Sequence, residues 1–213
     1  MLGKTAVHIM AFLVARHLDL VQRFILQEVR QPLNPSKSDT TTPSDEISSD
    51  AAIELTLTRL ELFISEANPF LVSAVFQPIL PNLFLLLVHV QNTFHTQLKG
   101  RITKILKVNF ASSWSAMVDA CHLVERILQR SEDEGWTFAA GSSGGIAIRK
   151  VDGMESMPLR FDQITIRIST FVELLKDSSD EVKSRVFVGV IRKWLIPKSD
   201  DPLQYAICLT FLN

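Results

Sequence analysis

The stretch FDQITIRISTFVELLKDSSDEVKSRVFVGVIRKWL, residues 161–195, decides the fold of this chain. It predicts two helices joined by a short polar turn at 177–180. Apolar side chains recur at helical spacing in the first helix, at Ile164, Ile168, Phe171, Val172 and Leu175. In the second helix they occupy two adjacent rows, Val182, Val186, Val190 and Trp194 beside Phe187, Ile191 and Leu195. Such a pair cannot bury its apolar faces alone, and it is the unit from which helical solenoids are stacked.

Outward from this pair, the helical pattern continues at about 51–66, 69–77, 81–97, 99–111 and 114–131, and a last apolar helix runs over 203–213. Alternating side chains around 136–151, on either side of a glycine-rich tip, predict a small β-hairpin. The fold class is therefore expected to be all-α, a HEAT-like α-solenoid of stacked helical hairpins with an inserted β-hairpin. Because the last helix lacks a polar cap, we expect a fragment of a longer solenoid or a truncated gene model.

Three regions are predicted along the chain. Residues 1–30 form one long N-terminal amphipathic helix or a broken pair of helices, and we favour this over a signal peptide because the helical pattern continues past Arg16 and Asp19. Residues 31–50, rich in Pro, Ser, Thr and Asp, form a disordered linker. Residues 51–213 form the helical repeat segment that contains the hairpin.

Composition excludes several function classes. Among 213 residues, 46% are hydrophobic, which is ample for a core. The 22 basic and 23 acidic residues give a net charge of −1, which argues against a nucleic-acid partner. Two cysteines, Cys121 and Cys208, are too few for a disulfide framework and favour a reducing compartment.

An uncharged stretch from Ala67 to Leu98 keeps a membrane-associated helical protein as an alternative function. Pro69, Pro78 and Pro81 interrupt this stretch, so two short buried helices fit it better than one span. A membrane is therefore not the partner that this pattern predicts.

Residues 141–145, Gly-Ser-Ser-Gly-Gly, match the G-x-S-x-G nucleophile motif. All five histidines precede Ser143, and the residues after the motif alternate like a strand, so a hydrolase of this kind is not expected. The same glycines lack the spacing of a phosphate-binding loop. Cys121 and His122 are adjacent and point about 100° apart on a helix, a poor geometry for a metal. We therefore expect no catalytic, cofactor-binding or metal-binding residues, and no enzyme.

Candidate functional residues are limited to two regions. Ser131 precedes three acidic residues, which is typical of a phosphorylation site for an acid-directed kinase. Tryptophan is enriched at interface hot spots, and Trp136 begins the hairpin that adjoins the helix pair. The expected partner-binding residues are those of the hairpin, namely Trp136, Phe138, Ile146, Ile148 and Arg149.

The order of several short motifs resembles a known family. These are Asn68-Pro69-Phe70-Leu71-Val72, Gln77-Pro78-Ile79-Leu80, Gly135-Trp136-Thr137-Phe138, Gly144-Gly145-Ile146-Ala147-Ile148-Arg149, Phe171-Val172-Glu173-Leu174-Leu175, Arg192-Lys193-Trp194-Leu195 and Asp201-Pro202-Leu203-Gln204. Over roughly residues 50–212 they are similar to the C-terminal third of the fungal Tel-two-interacting protein one family, the HEAT-repeat scaffold of the TTT co-chaperone complex.

This resemblance implies a scaffold or adaptor without enzymatic activity. Its implied partners are the other TTT subunits, the Hsp90 co-chaperone machinery and the phosphatidylinositol-3-kinase-related kinases, whose maturation and stability that complex supports. The expected localisation is cytoplasmic and nuclear. The less specific alternative is a generic HEAT-type interaction scaffold.

Overall fold

The computed structural model describes residues 2–35, 46–66, 69–91, 93–112, 135–151 and 161–195. Its elements, in chain order, are α1 (Leu2–Val21), a π-helical turn (Gln22–Leu26), α2 (Gln27–Arg30), a 3-10 turn (Gln31–Leu33), β1 (Glu46–Ser48), α3 (Asp50–Glu66), α4 (Pro69–Phe76), α5 (Leu80–Gln91), α6 (Thr96–Ser112), β2 (Trp136–Ala140), β3 (Ile146–Lys150), α7 (Phe161–Lys176) and α8 (Asp180–Leu195). The helices pack against one another around a shared apolar core. The solenoid-like class with a small inserted hairpin is confirmed.

The pair at 161–195 forms two helices, α7 and α8, as the sequence predicted. An ion pair connects the turn between them to α6, since Lys107 Nζ lies 2.5 Å from Asp177 Oδ2. The apolar stripe is narrower than expected, since Val172 and Phe187 are about half exposed. The buried side chains of the pair are Ile164, Arg167, Ile168, Thr170, Phe171, Leu174 and Val186. The side chains of 189–195, including Trp194, lie outside the described residues.

Helix α5 forms the centre of the core and packs against α6 and α7. It is buried on almost every side, which explains why its sequence carries no charge. Phe84 of α5 meets Phe171 of α7 edge to face, with ring centroids 6.3 Å apart and an interplanar angle of 85°. The uncharged stretch contributes to three helices, namely α4, α5 and the first residues of α6. Within the residues that the structure covers, no helix is both long and apolar enough to cross a bilayer.

The predicted helix over 81–97 is divided in two in the structure. The backbone N–H and the hydroxyl of Thr93 both donate to the Val90 carbonyl, at 3.1 and 3.0 Å. These bonds satisfy a free carbonyl at the end of α5 and turn the chain away from the helix axis. Phe94 and His95 then lead into α6.

The N-terminal segment is helical over 2–33 but not regular. Val7, Val14 and Val21 face the core, seven residues apart. Helical geometry is interrupted at His17, with φ −139° and ψ 51°, and the π-helical turn then follows Val21. Asn82 of α5 fixes the end of this segment, because its buried amide donates to the Leu33 carbonyl at 2.8 Å.

Three short strands form an antiparallel sheet in the order β1-β3-β2. The predicted hairpin is confirmed as β2 and β3, in which Phe138 pairs with Ile148 and Ala140 pairs with Ile146. The additional strand β1 lies inside residues 31–50, which the sequence predicted to be a disordered linker. That prediction is wrong at 31–33 and at 46–50, where the structure is ordered. These ends are structured because β1 pairs with β3 and Leu33 is fully buried. Several predicted features lie outside the described residues, namely the linker segment 36–45, the helices 114–131 and 203–213, and Ser131.

A polar cluster joins α3 to α6. Arg101 of α6 donates to both carboxylate oxygens of Glu61, at 2.9 and 3.1 Å, and also pairs with Glu54. The hydrogen bond to Glu61 is the largest of the effects that raise the pKa of Arg101 above its usual value. Because Arg101 presents a planar fork of donors, this cluster fixes the angle between the two helices as well as their contact.

Candidate protein-interaction surfaces

The glycine-rich hairpin tip is docked on the first residue of α3, Asp50. The buried carboxylate of Asp50 accepts hydrogen bonds through Oδ2 from the backbone N–H groups of Ser143, at 3.1 Å, and Gly145, at 3.3 Å. Its Oδ1 accepts from the N–H of Ala51 at 2.8 Å. Burial alone raises the pKa of Asp50, but these hydrogen bonds outweigh burial and hold the pKa below its usual value. One carboxylate therefore begins a helix and binds the hairpin tip.

This docking explains the glycines of the G-x-S-x-G motif. A Cβ on Gly141 or Gly145 would lie 2.8 Å from Asp50 Cβ, so each must be glycine for the tip to approach the helix. Gly144 has φ +85°, a left-handed conformation that favours glycine. The residues after the motif form strand β3, whereas a nucleophile elbow requires a helix there. The motif has a structural role in this fold.

Four of the five expected partner-binding residues lie inside the core. Trp136, Phe138, Ile146 and Ile148 are all buried, because the sheet turns this apolar face toward the helices. Their side chains are thus largely removed from solvent, and the expectation that these four residues bind a partner stays a prediction. Only Arg149 is exposed, and its guanidinium lies 4.0 Å from Glu46 Oε2 on β1. A partner contact at Arg149 stays a prediction.

Trp136 and Phe138 nevertheless border an open pocket of about 380 Å³ between α5, β2 and α7. The two rings meet edge to face at 5.4 Å and 82°. The apolar wall is completed by Leu85 and Val88 of α5 and by Ile166 of α7. The polar lining consists of His89, Thr93, Thr137, Gln163 and Arg167. Since the polar groups come from three different elements, the pocket depends on the hairpin being docked.

His89 lies at the junction of α5 and the hairpin, with its ring centroid 6.1 Å from that of Phe138. Partial burial, and secondarily the nearby His95, lower the pKa of His89. Both effects favour the neutral imidazole, which offers one N–H donor and one acceptor to the pocket. Arg167, only 7% exposed, is the one formally charged group at pH 7 among the lining residues that the structure describes.

A second surface lies on the N-terminal helix, on the side away from the buried valines. Ile9, Phe12, Leu20 and Phe24 are each more than half exposed, and we call them the N-terminal apolar surface. Two guanidinium groups cover its rings: Arg16 Cζ lies 4.0 Å from the Phe12 centroid, and Arg23 Cζ lies 5.5 Å from that of Phe24.

Sequence reasoning did not identify the N-terminal apolar surface. Segment 1–30 was interpreted as having one apolar face, although its apolar residues fall on both sides of the helix. That two-sided distribution is the sequence signal for an exposed apolar surface, because a helix that packs on one side only does not require apolar residues on the other side.

A metal site needs several ligand side chains close together within the described ranges 2–35, 46–66, 69–91, 93–112, 135–151 and 161–195. No group of three or more His, Cys, Asp and Glu residues lies close enough there to hold a metal ion. The geometry of the described surfaces therefore provides apolar patches and hydrogen-bonding groups, which suit contacts with other proteins.

Comparison with known proteins supports this class of molecule. No curated protein and no solved structure gives a significant match. A family model described as "Transport and Golgi organization protein 6 homolog, ARM-like repeat" matches residues 2–181. This match supports an armadillo-like repeat and does not support the TTT scaffold subunit in particular. Because the matched region covers most of the 213 residues, the chain belongs to the ARM-like repeat family of transport and Golgi organization protein 6 homologs.

Proposed function

We propose that this chain is a non-enzymatic scaffold that binds other proteins through exposed faces of its helical repeats. The observation that carries the proposal is the N-terminal apolar surface. Five of the eleven large hydrophobic side chains found exposed in the described residues lie between positions 9 and 24. Apolar side chains concentrated on one surface mark an interaction site, whereas singly scattered ones do not.

The two flanking arginines specify the partner further. Arg16 and Arg23 lie over the phenylalanine rings, so a partner that covers the rings also meets both guanidinium groups. A partner surface with apolar side chains and nearby carboxylates matches this arrangement, because buried arginines require acceptors.

The biological setting has two candidate assignments. The sequence motifs support a TTT-like adaptor in the cytoplasm and nucleus, which acts in Hsp90-dependent maturation of phosphatidylinositol-3-kinase-related kinases. The family description supports a role in transport and Golgi organization. We favour the second setting, because the family model covers 2–181 while the motif resemblance rests on short segments.

Affinity purification of the full chain from its native cell, followed by mass spectrometry, tests the scaffold function. The variant Phe12→Asp/Phe24→Asp places two carboxylates on the N-terminal apolar surface and is expected to lose the recovered partners. Leu55→Asp, at a similarly exposed position on α3, is the matched control and should retain them. Equal recovery by both variants would remove this surface from the proposal.

The identity of the recovered proteins decides between the two settings. Recovery of TTT subunits and large kinases supports the co-chaperone assignment, whereas recovery of secretory-pathway proteins supports transport. If the wild-type chain recovers nothing above an untagged control, the scaffold function itself is refuted.

A further inference from the structure

The pocket between α5, β2 and α7 has a composition that selects its ligand. Its volume, about 380 Å³, lies near the lower end of the range of roughly 300–1,000 Å³ found for ligand pockets. Two aromatic rings, Trp136 and Phe138, form one wall, and an aromatic ligand packs well against rings placed edge to face. Because an apolar cavity of about 150 Å³ already holds benzene, this pocket accommodates an aromatic side chain together with a neighbouring group.

The polar groups of the lining include one formal positive charge, that of Arg167. Arg167 lies in the lining and is almost completely buried, while the described lining contains no carboxylate. Arg167 already takes part in an interaction within the protein. A guanidinium has five N–H donors, however, so it can also bind the carboxylate of a ligand. Such a contact is charge-assisted and gives the pocket its preference for an acid.

The loop beside the pocket extends the apolar area. Phe94 directly follows the lining residue Thr93 and is fully exposed. Hydrogen bonds of the Thr93 hydroxyl to Val90 and of the Thr96 N–H to the Phe94 carbonyl hold this loop. An exposed ring next to a pocket provides contact area for the residues that flank an inserted side chain.

We propose that this pocket binds a partner segment that presents an aromatic side chain next to a carboxylate. The aromatic ring packs against Trp136 and Phe138, and the carboxylate pairs with Arg167. The inference rests on the proposed scaffold function, because it takes the ligand to be part of another protein. It does not involve the N-terminal apolar surface.

Capped dipeptides test the proposal with the full chain. The probe is acetyl-Phe-Asp-amide, and the controls are acetyl-Phe-Asn-amide and acetyl-Ala-Asp-amide. Binding is followed by two-dimensional NMR of the indole N–H of Trp136, assigned with Trp136→Phe. The Phe-Asp probe is expected to shift this signal saturably. Each control should bind at least about tenfold more weakly than the Phe-Asp probe. The Phe-Asn control loses the charge-assisted hydrogen bond, and the Ala-Asp control loses the aromatic ring.

A matched pair of variants tests the role of charge without removing Arg167. Gln163→Glu adds a carboxylate to an exposed lining residue one helical turn from Arg167, whereas Gln97→Glu makes the same change on α6. Gln163→Glu should weaken Phe-Asp binding about threefold or more and leave Phe-Asn binding unchanged. Gln97→Glu should change neither.

Equal binding of Phe-Asp and Phe-Asn refutes the pairing with Arg167, and no saturable shift with any probe refutes the pocket as a binding site. Tighter binding of free 3-phenylpropionate than of the dipeptide refutes a protein ligand in favour of a small acid. Failure of the probes while the chain still recovers partners from cells refutes only this inference. Binding of the probes by a chain that recovers no partner refutes only the scaffold function.

Discussion

The contact between Phe84 and Phe171 provides a quantitative test of how α5 and α7 pack. Both rings are fully buried and meet edge to face at 6.3 Å. Leucine at either position keeps most of the apolar volume, and a volume-conserving change of this kind costs less than about 1.5 kcal/mol. The lost ring-to-ring contact costs a further ~0.5–1.5 kcal/mol. Phe84→Leu and Phe171→Leu are therefore each expected to lower the free energy of unfolding by about 0.5–3 kcal/mol.

The double variant isolates the contact between the rings. Either single substitution already removes the edge-to-face interaction, so the double variant should lose about 0.5–1.5 kcal/mol less than the sum of the single losses. Urea denaturation followed by circular dichroism at 222 nm gives these free energies, provided that the denaturant slope stays constant across the series.

Phe94→Leu is the control for the series, because Phe94 is fully exposed. Its free energy of unfolding should stay within about 0.5 kcal/mol of the wild type. Additive single losses would refute the ring-to-ring contact. Single losses no larger than that of Phe94→Leu would refute the burial of both rings, and with it the packing of α7 on α5.

Four further substitutions are expected to change stability in defined ways. Asn82→Asp removes the amide that donates to Leu33 and buries a carboxylate, so urea denaturation should show a loss of about 2–5 kcal/mol; a loss below that of a surface substitution would contradict the bond. Gly145→Ala places a Cβ 2.8 Å from Asp50 Cβ and should cost about 1–3 kcal/mol, whereas Gly100→Ala, with open space around it in α6, should stabilise by about 0.5–1 kcal/mol. Equal effects of the two glycine substitutions would show that the tip does not touch α3. Because the folded-state pKa of Asp50 is lowered, the contribution of this carboxylate to stability is complete above the unfolded pKa of about 4 and is lost as the pH falls through the folded pKa. Below pH ~4, the free energy of unfolding of Asp50→Asn should therefore fall less steeply with decreasing pH than that of the wild type. Identical slopes in acid denaturation would exclude this linkage.

The elements that the sequence predicted well are defined by local patterns. Helices α7 and α8 follow from apolar spacing within 35 residues, and the hairpin of β2 and β3 follows from alternation around a glycine-rich tip. Each of these patterns is complete within one short segment. The direction that an apolar side chain faces is also predicted where one stripe dominates, as at Ile164, Ile168 and Phe171.

The remaining features depend on contacts between distant segments. Strand β1 is three residues long and lies in a polar region, and it forms only because β3 provides a partner about one hundred residues later. Asp50 has the sequence signature of a helix start, but nothing in its neighbourhood indicates that it also binds Ser143. The candidate site is equally hard to predict from sequence, because tryptophan is common both in protein cores and at interfaces, so the residue type of Trp136 does not distinguish the two.

The docking of the hairpin tip on Asp50 also has a consequence for the order of folding events. In repeat arrays each unit contacts mainly its neighbours, so unfolding can begin in one unit and stop at the next. Here a carboxylate and a strand connect segments 93 or more residues apart in the chain. The hairpin can close early, since its pairing is local, but its attachment to α3 must wait until the intervening chain has collapsed. We expect amide hydrogens of β3 and of the first turn of α3 to exchange at a common rate, as members of one cooperative unit.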